Sequence, residues 1–259
     1  MTDDEHWDTT LLKSSPIIKQ LNRVIAYFLP FTHWPSIDDY KQAFTNEKLD
    51  VTPVPQSHDV IHFEDQYEPR VYLKKELQTR TENWHDFFNA MIWLQFPKTK
   101  TVLNQLHFSS ASNREKGSNR STLENRITQF DECGALIISD NEFLLELLKQ
   151  HRWQELFVEN KALLESSLRC IVFGHAIHEK ALAPYIGMTC HCLLTNDKNL
   201  LSNVINNEYS AVDKFLSDQW KNEISANPGK FHAFPILGLP NYWPKQDFDF
   251  YSNKKYFRK

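Results

Sequence analysis

The chain has 259 residues, 41% apolar and 24% charged, enough for one large domain or two small ones with a substantial core. Its net charge of −4 excludes a general electrostatic pull toward nucleic acid, and its apolar content excludes wholesale disorder. The six glycines never fall close enough to build G-x-G-x-x-G or a phosphate-cradling loop, and no G-x-S-x-G elbow occurs. Nucleotide-dependent kinases, Rossmann dehydrogenases and α/β-hydrolases are set aside.

The opening MTDDEHWD is acidic and has neither the basic nor the apolar region of a secretion signal. The longest apolar run, Val24 to Phe31, is too short to span a bilayer, so a cytoplasmic protein without a membrane partner is expected. In that compartment Cys133, Cys170, Cys190 and Cys192 are free thiols. Within a strand, Cys190 and Cys192 share one face and His191 takes the other, and no C-x-x-C pair completes a zinc site. Asp131 and Glu132 precede Cys133, and their charge should blunt its thiol as a nucleophile.

In chain order, Ser15 caps a helix with Pro16 at its first position, and Ile17, Ile18, Leu21, Val24, Ile25 and Phe28 continue as a helical stripe. Ser36 with Asp39 forms a capping box. Pro53 and Pro55 mark a loop, and the alternation over Asp59–Glu64 and Arg70–Leu73 predicts a short β-hairpin. Trp84, Phe87, Phe88, Met91 and Ile92 form the apolar face of a helix whose other face carries His85, Asp86, Asn89 and Trp93. Pro97 restarts a helix with Lys98 and Lys100 in its first turn. Anions bind at such ends, so a ligand phosphate or carboxylate is a candidate there, against two lysines simply solvated.

Residues 109–121, SSASNREKGSNRS, read as a mobile loop. A capping box at Ser121 and Glu124 opens the next helix, Gly134 stops it, and Ala135–Ile138 is a buried strand or core segment. A third box at Ser139 and Glu142 starts another helix. The stripe Leu164, Leu168, Ile171, His175, His178 and Leu182 predicts one long helix with Gly174 as a kink. Met188–Leu194 reads as a strand, and Leu201–Trp220 as a helix broken near Asn206-Asn207. The segment 231–259 is expected to lie extended across the helices, anchored by Phe234, Trp243 and Tyr251. The fold class is α+β, predominantly α-helical: a single domain, 1–259, with a short hairpin and minor strands.

Three polar groups could carry chemistry: His85, Asp86 and Asn89; Asp131 and Glu132; and His175, His178 and Glu179. H-x-x-H-E is not the H-E-x-x-H of zinc proteases, but His175 and Glu179, four apart on a helix, can converge on one metal or substrate. The plain alternative reads Asp86 as a capping residue and the histidines as buried and neutral.

The blocks TENWHDFFNAMIWLQFPKTKTVLN, STLENRITQFDECGALI, FGHAIHEKALAPY and GLPNYWPKQDFDFYSNKKYFR resemble a bacterial family, domain of unknown function 3025, from about residue 60 to the C-terminus. The resemblance implies that the family's His-Asp-x-x-Asn block falls on His85, Asp86 and Asn89, and its F-D-E block on Phe130, Asp131 and Glu132. Its F-G-H-A…E-K block falls on Phe173, Gly174, His175, Glu179 and Lys180. An aromatic often stands in the family where this chain has His178. The resemblance brings no activity and no cofactor.

The expected function is that of a small-molecule enzyme or ligand pocket drawing on three helical blocks. His85, Asp131, His175 and Glu179 would do the chemistry, because imidazole exchanges protons near neutral pH when a carboxylate orients it. Asp86, Asn89, Trp93, Lys98 and Glu132 would hold a small anionic or polar ligand. The alternative is a non-catalytic interaction protein whose polar cluster is a structural network.

Overall fold

The computed structural model describes residues 6–57, 62–115, 117–226, 229 and 231–258. Ser15 accepts the Ile17 N–H at 3.2 Å and sets Pro16 at the head of α1 (Pro16–Lys19), which α2 (Asn22–Ile25) follows after a turn. The predicted single helix is therefore two short ones, although every residue of its stripe is buried. The capping box at Ser36 and Asp39 opens α3 (Ile37–Asn46). β1 (Thr52–Pro55), α4 (Tyr67–Lys74) and β2 (Glu76–Thr79) come next, with β1 and β2 paired in parallel.

This region departs from the predicted hairpin. Residues 59–61 lie outside the described residues, Phe63–Asp65 form a 3-10 turn, and Arg70–Leu73 lie inside α4. Pro69 stands in the first turn of α4, where its missing N–H costs no bond, and four alternating residues satisfy a helical period as well as a strand one. Pro53 and Pro55 belong to a strand rather than a loop. They alternate with Thr52 and Val54 on an edge, where proline's missing N–H is tolerated, and Thr52 donates to the Lys75 carbonyl at 2.8 Å.

Asn83 caps α5 (Trp84–Gln95) by accepting the Asp86 N–H at 3.0 Å. α6 (Pro97–Ser112) runs four residues into the expected loop. α7 (Thr122–Cys133) opens on the predicted box, with Ser121 N–H on Glu124 at 2.7 Å and Glu124 N–H on Ser121 at 3.1 Å. β3 (Gly134–Ser139) is buried throughout. α8 (Glu142–Lys149) is capped by Asn141 and not by Ser139, whose hydroxyl closes the strand end by donating to the Ser167 carbonyl. α9 (Lys161–Ser167), β4 (Leu168–Val172) and α10 (His175–Lys180) replace the predicted long helix. A run of apolar residues with steps of three and four does not exclude a strand, and Ile171-Val172 find antiparallel partners on the all-apolar β3. β5 (Thr189–Asn196), α11 (Lys198–Ile205), α12 (Tyr209–Gln219), β6 (His232–Pro235) and α13 (Phe248–Tyr251) complete the chain, and the helical break at Asn206-Asn207 is present. The fold is α+β and mainly helical.

The chain divides into two compact units, each made of separated segments. The first comprises Met1–Lys13, Leu21–Thr128 and Asp213–Gly229. Its aromatic core stacks Trp7 on Trp84 at 5.2 Å, with Phe87 meeting Trp7, Phe28 and Trp84 edge-on. The second comprises Ser14–Gln20, Gln129–Val212 and Lys230–Lys259. Its mixed sheet has the order β4-β3-β5-β6, antiparallel except where β3 meets β5. Gln20 covers the outer edge of β4 with its side-chain amide, donating to the Cys170 carbonyl and accepting the Val172 N–H, each at 2.9 Å.

The C-terminal segment does more than lie on helices, because it supplies edge strand β6. Phe234 is fully buried, and the Tyr256 hydroxyl accepts the Leu237 N–H at 3.0 Å while donating to the Met188 carbonyl at 2.7 Å. Tyr256→Phe removes both bonds and strands a buried N–H and C=O. A loss of about 1–3 kcal/mol is expected in urea unfolding, and an unchanged midpoint would show that the tail is not tied down there.

Candidate functional site

In the second unit, α7 ends on Phe130, Asp131, Glu132 and Cys133 and turns through Gly134 into β3. The Gly134 carbonyl accepts the N–H groups of Phe173 at 3.0 Å and Gly174 at 2.8 Å, and the Phe130 and Phe173 rings stack at 5.0 Å. Gly174 lies so close to the end of α7 that a Cβ on it would stand 2.4 Å from the Glu132 carbonyl oxygen and 2.6 Å from the Cys133 nitrogen. Glycine is required here for space, and the kink read from sequence is a strand-to-helix junction. α10 begins immediately after it, against the end of α7 that carries Asp131 and Glu132.

His175 is the first residue of α10 and is buried. Its Nδ1 stands 3.8 Å from an Asp131 carboxylate oxygen and its Nε2 3.6 Å from a Glu132 carboxylate oxygen. Both separations exceed a direct hydrogen bond but lie within reach of charge stabilisation. The Glu132 side chain is 40% exposed against 17% for Asp131 and 4% for His175. An imidazole so placed can take a proton while a carboxylate steadies the cation. Glu179 follows one turn later on α10 and is half-buried.

The neighbouring groups are structural. His178 is completely buried and donates its Nδ1–H to the Gly174 carbonyl at 3.0 Å. Burial pushes its pKa down to about 4, with the Gly174 bond opposing. It is a neutral core histidine, as the plain reading held. The Cys133 thiol is raised, chiefly by burial, with Lys180 opposing and Glu132 adding. All four cysteines are free; Cys190 and Cys192 are buried on one face of β5, and burial raises both, while His191 alternates away beside the Gln129 amide at 3.0 Å.

In the first unit, His85 is half-buried as the second residue of α5. Asp86 is gripped by Arg80, through its backbone N–H at 2.7 Å and its Nη2 at 2.8 Å. Asn89 donates to the Tyr67 hydroxyl at 2.6 Å and accepts the Lys100 ammonium at 3.0 Å. Lys100 is buried, 5.4 Å above the Trp93 ring, which explains a tryptophan on the polar face of α5. Lys98 is exposed, and its backbone N–H meets a carboxylate of the chain's own. Asp213 accepts that N–H at 3.0 Å and the Thr99 N–H and hydroxyl at 2.8 Å each. Asp213 thus places a carboxylate of the chain itself at the head of α6. Burial raises the Asp213 carboxyl, and the bonds from Thr99 and Lys98 oppose the rise. Sequence reasoning missed Asp213 and Arg80; the only signal for Asp213 was a carboxylate beside the buried Val212 and one turn before the buried Leu216.

A family model described as a protein of unknown function (DUF3025) matches residues 52–259, which include both polar groups. The chain belongs to the DUF3025 family. No curated protein and no solved structure matches it. Among the described residues of this DUF3025 protein, no helix is long and apolar enough to cross a membrane.

His178 gives a pH signature. Its folded pKa of about 4 lies below the ordinary 6.5, so its contribution is complete above 6.5 and is lost as pH falls through 4. The loss is on the order of 3 kcal/mol. His178→Phe should flatten the stability curve across that window in urea unfolding at stepped pH; curves that stay parallel to wild type would contradict a neutral buried His178.

Proposed function

We propose that this DUF3025 protein is an enzyme acting on a small polar or anionic molecule, with His175 as the group that exchanges a proton. The observation that supports this most is a buried imidazole with one carboxylate facing each ring nitrogen, at 3.8 and 3.6 Å. Asp131, the less exposed, orients the ring and stabilises the imidazolium; Glu132, on the open side, faces the ligand. Glu179 is the third acid of this group. In the first unit, Asp86 and Asn89 already serve Arg80, Tyr67 and Lys100.

The test is a thermal-shift survey of small carboxylates, phosphates and amides on wild type, His175→Ala and Glu132→Gln. At least one compound should stabilise wild type and lose its effect in both variants, with His175→Ala folded and its melting midpoint little changed. A His175→Ala protein that chiefly loses stability, with no compound dependent on His175, would favour a structural network instead.

The 3.6 Å between His175 Nε2 and Glu132 supports a second reading, since two donors each roughly 2.0–2.2 Å from one transition metal can span that gap. Under it, untagged protein carries a stoichiometric metal by elemental analysis, and both His175→Ala and Glu132→Gln lose it. Well under half an equivalent after reloading removes this reading and leaves the acid–base one standing.

A further inference from the structure

A cavity of about 230 Å³ lies among α4, α6 and α7 in the first unit, apart from the residues assigned to His175. Two carboxylates and two guanidiniums line it. Glu124 is completely buried and matched at both oxygens, by Arg114 at 2.9 Å and by the Ser121 N–H at 2.7 Å. That pair is electrically closed. Glu68 accepts the Asn104 amide at 2.6 Å.

Two further side chains of the lining, Arg120 and His107, differ. Arg120 makes no ion pair or hydrogen bond with any described residue. His107 is only 8% exposed, yet its Nδ1 has no hydrogen-bond partner among the described residues. A solvent-open guanidinium and a buried imidazole nitrogen without a partner lie on the wall of one small cavity, an arrangement that can receive an acceptor from outside the chain.

We propose that this cavity binds a small monocarboxylate, with Arg120 taking the two carboxylate oxygens side by side and His107 donating a ring N–H. Planar bidentate pairing is what guanidinium does best, and it selects carboxylate geometry. The Glu68 carboxylate on the same wall disfavours a dianion such as phosphate. The volume falls below the roughly 300–1,000 Å³ of drug-sized pockets, which limits the ligand to few heavy atoms.

Acetate, butyrate and inorganic phosphate are titrated into the full chain, followed by melting midpoint and calorimetry. Acetate or butyrate should raise the midpoint, and Arg120→Ala, an exposed position that leaves the fold intact, should weaken binding at least tenfold. His175→Ala should bind as wild type does. No carboxylate shift, a shift equal in Arg120→Ala, a preference for phosphate, or a shift lost in His175→Ala would each overturn the proposal, the last because it moves the binding to the other site.

Discussion

The second unit turns on a backbone approach too close for a side chain. At Gly174 any Cβ would overlap the last carbonyl groups of α7, and the same residue sends its N–H to the Gly134 carbonyl. This contact joins the end of β4 to the beginning of β3, so sheet registry and the start of α10 are set together. It also sets His175 beside the end of α7 that carries Asp131 and Glu132. Moving the strand end by even one bond length would change the distances from the imidazole to both carboxylates. The Phe130–Phe173 stack supports the junction from the apolar side.

Polar groups inside this protein fall into two kinds. Asp213, Glu124 and Asn89 are met by donors or acceptors at 2.6 to 3.0 Å and close helix ends or neutralise a partner. A buried polar group held that tightly reads as architecture, since leaving it unmatched would cost stability. The His175 carboxylates stand farther off, at 3.6 and 3.8 Å, within reach of charge stabilisation. His178, three residues along the same helix, shows the contrast: it is wholly enclosed, bonded to its own backbone and held neutral.

Much of the local structure was legible in the sequence because it rests on interactions between residues close in the chain. Ser15, Ser36 and Ser121 cap helices through groups two or three positions away, and the all-apolar Ala135–Ile138 could only be interior. The alternation of Cys190, His191 and Cys192 follows from strand geometry alone. The failures arose where local periodicity was satisfied by two states. Arg70–Leu73 fits a strand or a helix, and the partners of Leu168–Val172 on β3 decided for a strand what spacing had assigned to a helix. Pro53 and Pro55 became a strand because β2 pairs with the residues between them.

The polar residues of the candidate site were identifiable from sequence as imidazoles, carboxylates and amides at helical spacing, since a polar residue on an apolar stripe must find a partner. Which partner it found was decided only by the tertiary structure. Lys100 chose Asn89 and Trp93 from α5, Asp213 came from more than a hundred residues away to close α6, and Asp131 and Glu132 came to face the His175 ring. Sequence records the need for a counter-charge. Distance between backbones, set at Gly174 by the absence of a single carbon, determines which group supplies it.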